Sequence, residues 1–305
     1  MDLSLRIAQF PVRAEDMQLL EGLDLGPGGA ANVAIVAARL GLEVGCMGEI
    51  GDDLFGKVLL DGLRREAIDT TLVQVTLSGR TPVAGVLTDA LGEPAYLGFP
   101  GQLTLAHLVP AWRDAIRRAE ALFADGWIDA GSGADLVLEG LLAARAADVP
   151  TFFDPGPGNP RHPADWRRLA AELATVVLGT ESQIAALYDG LEAREVAGRL
   201  LAANARLVVI KRGAQGSLLL QPNRSLEAPA FPVQLVDATG AGDSLDAAVL
   251  FGVLRGLELP DLADLGNAAG AAKVGKWGTG HNLPTLAEIR KVLTDNGRTA
   301  SYLPG

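Results

Sequence analysis

A single cysteine, Cys46, stands in 305 residues, so the chain has no intrachain disulfide and no multi-cysteine zinc site. Histidine is nearly as scarce, and His107, His162 and His281 are too scattered to suggest a metal cluster. Positive charge is short as well: 26 Lys and Arg face 37 Asp and Glu, for a formal net charge of −11. That balance argues against nucleic acid or an anionic membrane as a partner, because both would repel the chain. Nowhere do 18 apolar residues run together, and the opening MDLSLRIAQFP holds no apolar stretch of signal-peptide length. The expectation is a soluble, cytoplasmic protein.

What the chain does have is a large apolar fraction, 49%, with 21% charged residues, enough for a sizeable core and against disorder. No composition shift marks a linker, so residues 1–305 are expected to form one large α/β domain. GGAANVAIVAARLG reads as an Ala-rich helix with Ala31, Ala34, Ile35 and Ala38 on one face, left at Gly41. EVGCMGEIG, ALFADG, PTFFDPG, ATVVLG and RLVVIKRG are short apolar runs ending at Gly or Asp-Pro-Gly, the pattern of buried strands in a parallel sheet. Amphipathic stretches of helical length lie between them, such as LTLAHLVPAWRDAIRRAEA and EAREVAGRLLAAN. The predicted fold is therefore a doubly wound, mostly parallel sheet with helices on both faces. One segment departs from this rhythm: TPVAGVLTDALGEPAYLGF reads as an antiparallel hairpin. With the alternating LSLRI at the start, it predicts a small β-lid from about residues 2–10 and 80–100.

Several motifs compete for the chemistry. Gly26-Pro27-Gly28-Gly29-Ala30-Ala31 matches a dinucleotide fingerprint in letters, but EDMQLLEGLDL before it is not a clear buried strand and no ribose-binding carboxylate follows. GAAKVGKW at 270–277 misses a phosphate-loop motif because Trp277 stands where a hydroxyl is needed. LVDATGAGDSLDAAVL, residues 235–250, admits three readings. Ser244 as a hydrolase nucleophile needs a histidine and an orienting acid, and the surroundings of His281 supply no carboxylate. Asp243 as a plain helix cap is an ordinary structural reading. In the third reading, Gly240, Ala241 and Gly242 bend the chain so that the free amides of a helix start hold an anion, and Asp243 accepts a proton from an approaching hydroxyl.

Taken together, these stretches resemble the PfkB, or ribokinase-like, family of ATP-dependent sugar and nucleoside kinases. GPGGAANVAIVAARLG with MGEIGDDLFG is similar to the N-terminal signature of that family, and DATGAGDSLDAA to its C-terminal one. VIKRGAQGSLLL and NAAGAAKVGKWGTGHN resemble its nucleotide-side segments, in the family's order and over nearly the whole chain.

The resemblance implies Asp243 as catalytic base, with an anion hole at Gly240, Ala241 and Gly242 for the γ-phosphate of ATP and Mg2+ neutralising phosphate oxygens. It implies Gly28, Gly29 and Asn32 as ligands of sugar hydroxyls, together with Asp2, which keeps the family spacing to Pro11 although the usual strand before it is missing. On the nucleotide side it implies Thr180, Lys211, Gly213, Gly216 and Asn267. Asp237, Thr239, Gly278 and Asn282 fall where many members build a monovalent-cation (K+) site from backbone carbonyls. Gln183 departs from the family's N-x-x-E motif, which leaves magnesium to lean on Glu181 or Asp154. The lid implies a homodimer through its exposed edge. The expected activity is transfer of the γ-phosphate of ATP to a hydroxyl of a small sugar. A nucleoside acceptor, or a ligand-binding homologue with weak catalysis, are the alternatives.

Overall fold

Alternating apolar and polar residues at the start of the chain form the first strand of the computed structural model, which describes residues 1–15, 17–92, 94–127, 134–157 and 165–305. His162 lies outside them. The described residues group into two compact units, one of residues 1–103, 231–251 and 268–305, the other of 104–230 and 252–267. The first begins β1 (Asp2–Arg6), β2 (Gly22–Gly26), α1 (Ala30–Arg39), β3 (Gly45–Gly51), α2 (Leu54–Arg65), β4 (Asp69–Thr76), β5 (Val83–Thr88) and β6 (Pro94–Phe99). The second holds α3 (Pro110–Arg118), β7 (Leu122–Asp125), α4 (Ala134–Ala146), β8 (Thr151–Asp154), α5 (Trp166–Leu173) and β9 (Val176–Thr180). It continues through α6 (Glu181–Ala185), α7 (Ala193–Ala203), β10 (Leu207–Lys211), β11 (Ser217–Gln221) and β12 (Arg224–Ala228). Helices α8 (Ala241–Leu254) and α9 (Leu259–Val274) are divided between the units, and α10 (Leu286–Asp295) belongs to the first.

In the first unit the expected hairpin is β5 with β6, and it joins β1 in a four-stranded sheet of order β2-β1-β5-β6. The segment before the Gly26 motif proves to contain a strand after all: β2 pairs antiparallel with β1, while β5 runs parallel to β1. Directly paired residues share a face of a sheet. The row Asp24–Ser4–Val86–Tyr96 and the neighbouring Asp2 therefore stand on one side. Leu3, Leu5, Leu23, Leu25, Leu87 and Leu97 stand on the other. Because β2 is antiparallel to its neighbour, the Gly26 motif lacks the βαβ context of a dinucleotide fold.

EVGCMGEIG was expected in the large parallel sheet. Among the described residues β3 instead pairs in parallel with β4 in a two-stranded sheet. Helix α1 leaves at Gly41 as expected, through the paired bonds Gly41 N–H to Ala38 O (2.9 Å) and Leu42 N–H to Ala37 O (3.1 Å) with Gly41 at φ 93°.

The second unit carries the large sheet, of order β12-β11-β10-β9-β8-β7. Strands β7 to β10 are parallel, and β11 and β12 add antiparallel pairs. Its parallel strands are continuous apolar runs because both faces are covered, and Phe153, Val177, Val208 and Ile210 pack in one core with Ile184, Val196 and Leu200 of the helices. The helix foreseen across LTLAHLVPAWRDAIRRAEA begins only at Pro110: the residue before a proline is pushed to extended backbone, and Val109 has ψ 155°. The strands end at Asp125, Asp154, Thr180 and Lys211, placing polar side chains at the carboxyl edge of the sheet.

In the first unit, Asp53 caps α2 by accepting from the Gly56 amide (2.9 Å) and also takes the Thr81 amide (2.9 Å) and hydroxyl (2.7 Å). Partial burial opposes ionisation of Asp53, but these hydrogen bonds and nearby Arg80 outweigh it and hold the carboxyl below its ordinary range. A depressed carboxyl contributes stability above its unfolded pKa and loses it as pH falls through the folded value. Asp53→Ala should cost about 1–2 kcal/mol at neutral pH, as cap losses do. In urea titrations that difference should shrink as pH falls below the ordinary carboxyl range.

Candidate active site

The glycine-rich bend at 239–242 leads straight into α8. Gly240 enters at φ 78°, and the first helical bond runs from Ser244 N–H to Gly240 O at 3.0 Å. Amides ahead of that bond have no acceptor within the helix, the condition for an anion site. Of the three amides assigned to the hole, that of Ala241 turns back to Ala238 O at 3.2 Å, so the bend consumes one donor. Ser244 is fully buried, at 0% exposure, and its hydroxyl donates to Gly240 O at 2.7 Å. A nucleophile must be reachable, and the Ser244 hydroxyl instead bonds back into its own helix.

Asp243 is half-buried one residue earlier. Its Oδ2 accepts from Nδ2 of Asn32 at 2.7 Å, across 211 residues of sequence. Asn32 sits in α1 at 1% exposure, and its Oδ1 is buried with no hydrogen-bond partner. A buried acceptor left unpaired is costly unless a donor arrives. Asp2 is brought to the same place by β1. Its carboxylate lies so close to Gly28 that a Cβ there would fall 1.9 Å from Oδ1. Gly29, at φ 58°, starts α1. Burial pushes the Asp2 carboxyl up, opposed by the terminal ammonium and by hydrogen bonds from Thr279 and Asn32, while Asp237 adds to the upward push. The Thr279 hydroxyl lies 3.0 Å from Asp2 Oδ2 and 3.2 Å from Pro27 O. Tyr96 faces this group: burial, then Asp243, Asp2 and Asp237, push its phenol above its ordinary range.

Asp237, 1% exposed, uses both carboxylate oxygens on backbone: Oδ1 accepts from Thr239 N–H (2.9 Å) and Oδ2 from Gly278 N–H (2.8 Å). It stitches the bend before α8 to the turn after α9. Asn282 lies in the same turn and donates to Asp24 Oδ2 at 3.4 Å. Beneath them Lys273 is wholly buried, its Nζ 2.8 Å from Lys276 O and 3.4 Å from Asp237 O. Burial pulls the Lys273 ammonium down to about 8, against the upward pull of the Asp237 and Asp243 carboxylates.

In the second unit, Lys211 at the end of β10 forms a buried ion pair with Asp154 at the end of β8, 2.7 Å apart. Asp154 also accepts from the Gly156 amide at 2.7 Å. Each of its carboxylate oxygens thus has a partner within the protein. Gly213 and Gly216 bound a short 3-10 turn at φ 54° and 88°, and a Cβ on Gly216 would meet Ala228 O at 2.1 Å. Asn267 donates to Pro229 O (3.0 Å) and Ala228 O (3.3 Å), fixing the strand end against which Gly216 packs. Thr180 caps α6, and Gln183 completes a capping box: Gln183 N–H reaches Thr180 Oγ1 (3.3 Å) while Gln183 Oε1 accepts from Thr180 N–H (2.7 Å). The departure at Gln183 therefore keeps a structural task that an amide performs as well as a carboxylate.

The first unit brings Asp2, Gly28, Asn32, Gly240 and Asp243 into one neighbourhood, and the second brings Gly216 and Asn267 together. Sequence reasoning missed Thr279 and Lys273. The signal for Thr279 was its place in GTGHN; Lys273 lies in the near-miss phosphate loop and in NAAGAAKVGKWGTGHN, and nothing in its neighbours announces burial.

A family model described as the pfkB family carbohydrate kinase matches residues 1–286. The 5-dehydro-2-deoxygluconokinase of Bacillus anthracis (strain CDC 684 / NRRL 3495) is 30% identical, over 86% of this chain and 83% of that protein. The ribokinase of Arabidopsis thaliana, solved with ribose and ATP, has a TM-score of 0.80 at 20% identity, covering 95% of each chain. A Burkholderia thailandensis nucleoside kinase solved with inosine has a TM-score of 0.77 at 23% identity, covering 97% of this chain and 94% of its own.

Breaking a buried ion pair from one side leaves the other charge stranded, at about 3–5 kcal/mol. Lys211→Met should cost that much in chemical denaturation, and Lys211→Met with Asp154→Leu should recover most of it. Equal destabilisation in the single and double variants would instead tie Lys211 to some other partner.

Proposed function

The chain belongs to the pfkB family of carbohydrate kinases, phosphotransferases with an alcohol group as acceptor, and from that premise we propose how its own residues divide the work. Asp243 accepts the proton of the acceptor hydroxyl. The amides of Gly240 and Gly242 hold the γ-phosphate of ATP at the positive end of α8, with Ala241 shaping the bend. Asp2, Gly28, Gly29 and Asn32 bind hydroxyls of a small sugar or sugar derivative. The observation that carries this reading is the 2.7 Å bond from the Asn32 amide to Asp243, on a side chain whose other polar atom is a buried acceptor without a partner. A hydroxyl donating to Asn32 Oδ1 would satisfy it and bring a polyol beside the base.

The nucleotide-side residues, Thr180, Lys211, Gly213, Gly216 and Asn267, are taken to serve ATP. Lys211 acts there through Asp154, and Asn267 through the strand end it braces. Magnesium, when bound with the nucleotide, supplies charge neutralisation on the phosphate oxygens. Among the described residues no group of three or more His, Cys, Asp or Glu is placed to hold a metal alone, which suits an ion carried largely by the triphosphate and water, with exposed Glu181 in the first turn of α6 at hand. We take residues 1–305 as one catalytic module, because a single family model runs over residues 1–286.

Three carboxylates, Asp2, Asp237 and Asp243, lie on the acceptor side, and hydrogen-bond acceptors of this kind suit the hydroxyls of a polyol. The nucleoside alternative has one observation on its side, since Tyr96 is 43% exposed and presents an aromatic surface beside Asp243. A panel of neutral sugars, sugar acids including 5-dehydro-2-deoxygluconate, and nucleosides, scored by ADP release, separates these readings. With the best acceptor, Asp243→Asn should lower kcat about 10²–10⁴-fold, the range for losing a general base, with little change in acceptor KM. Retention of kcat in that variant would remove Asp243 from the chemistry.

The apolar face of the four-stranded sheet leaves Leu23 at 65% and Leu97 at 67% exposure. We read it as the surface through which two copies pair. No helix among the described residues is long and apolar enough to cross a membrane, and a cytoplasmic setting suits the lone Cys46, whose thiol burial pushes up to about 11. Leu97→Glu should shift the protein from dimer to monomer in light scattering; a wild type already monomeric at high concentration would refute the pairing.

A further inference from the structure

Two backbone carbonyl oxygens turn toward one point in this chain, and a side-chain ammonium occupies it. Lys273 leaves the last turn of α9 wholly buried, and its Nζ is held by Lys276 O at 2.8 Å and Asp237 O at 3.4 Å. The two carbonyls belong to the two loops that the Asp237 carboxylate stitches through Thr239 N–H and Gly278 N–H. The lysine stem also lies beside the bend: a Cβ on Gly240 would lie 3.5 Å from Lys273 Cε. A monovalent ion bound through Asp237 would compete with the ammonium for the Asp237 carbonyl. The Asp237 carbonyl faces the ammonium, both Asp237 carboxylate oxygens face amides, and the Asn282 amide is turned to Asp24.

We propose that the Lys273 ammonium is a built-in replacement for a monovalent cation, a positioning residue that holds the bend at Gly240–Gly242 so that phosphoryl transfer proceeds without K+. This rests on the kinase reading above. An ammonium has three donors and, while protonated, a positive charge, so it can gather carbonyls as an ion does. Being covalently tethered, it loses no translational freedom on binding. An unpaired ammonium at this depth would be costly, and here two carbonyls and the neighbouring Asp237 and Asp243 carboxylates compensate it. Potassium bound beside it would meet a like charge.

The test compares wild type, Lys273→Ala and Lys273→Met in buffers of equal ionic strength whose only monovalent cation is tetramethylammonium, too large for such a site, or potassium. Wild-type turnover and melting temperature are expected to be the same in both buffers. Lys273→Ala in tetramethylammonium should lose about 10²-fold in kcat, the order seen when one oxyanion-hole donor is lost. Potassium or ethylammonium should restore at least about tenfold of it, saturably, with the melting temperature rising in parallel. Lys273→Met, which fills the space, should respond to neither. A purely structural lysine would give a variant that no cation reactivates.

Wild type whose turnover or melting temperature rises with potassium overturns the proposal, as does Lys273→Ala that is fully active in tetramethylammonium or unmoved by either cation. Should Lys273→Ala fail to fold, the wild-type comparison decides the question. Should wild type phosphorylate nothing in the acceptor panel, the kinase reading fails by itself. The melting temperatures then still report whether the loop takes up potassium in the wild type and only accepts it once the lysine is gone.

Discussion

The carboxylate of Asp237 ties together two loops that are distant in sequence, one oxygen to Thr239 N–H and the other to Gly278 N–H. Everything on the acceptor side is referenced to that tie. Before α8 it sets the bend from which Gly240 and Asp243 project; after α9 it sets the turn from which Thr279 reaches Asp2. Neither loop has a strand ladder to fix it, so a buried charge with both oxygens on amides takes the place of regular structure. Charge-assisted bonds to backbone are about twice as strong as neutral ones, and that strength is gained only because the groups are buried together.

Acidic groups so concentrated would repel one another unless each had its own compensation. Asp237 has two amides and lies near the Lys273 ammonium. Asp243 has the Asn32 amide. Asp2 has a hydroxyl hydrogen bond, and burial raises its carboxyl toward the neutral form. Their environments differ in the way one would want from the tasks proposed for them: a fixed structural charge, a proton acceptor, and a ligand able to donate as well as accept.

The order of motifs made the fold and most of the acceptor side legible, because glycines at fixed offsets and apolar runs ending in Gly report backbone events directly. The hairpin and the parallel strands β7 to β10 carried periodicities that tertiary context did not override. Strands β2 and β4 were harder: GLDLG is short and half exposed, and DTTLVQVT is mostly polar. Lys273 was illegible for a different reason. Lysine is almost always at the surface, and only the folded chain brings the carbonyl of distant Asp237 beside that of nearby Lys276 at its end. Gln183 carried a task that its change of charge did not announce, since its amide completes a cap.

The double glycine of GPGG follows from the strand before it. Asp2 pairs with Gly26 in β1 and β2, so the chain leaving β2 must pass the Asp2 carboxylate within two residues. At Gly28 that carboxylate occupies the space of a side chain, with 1.9 Å left for a Cβ. One residue later the backbone must turn to φ 58° to start α1. A side chain at the first position would displace Asp2, and one at the second would strain the turn that presents Asn32 to Asp243. The N-terminal signature is thus a packing requirement of the Asp2 carboxylate, beside the allowance for close approach of a ligand proposed for it. Its glycines would be needed to seat Asp2 and Asn32 even before any sugar is bound.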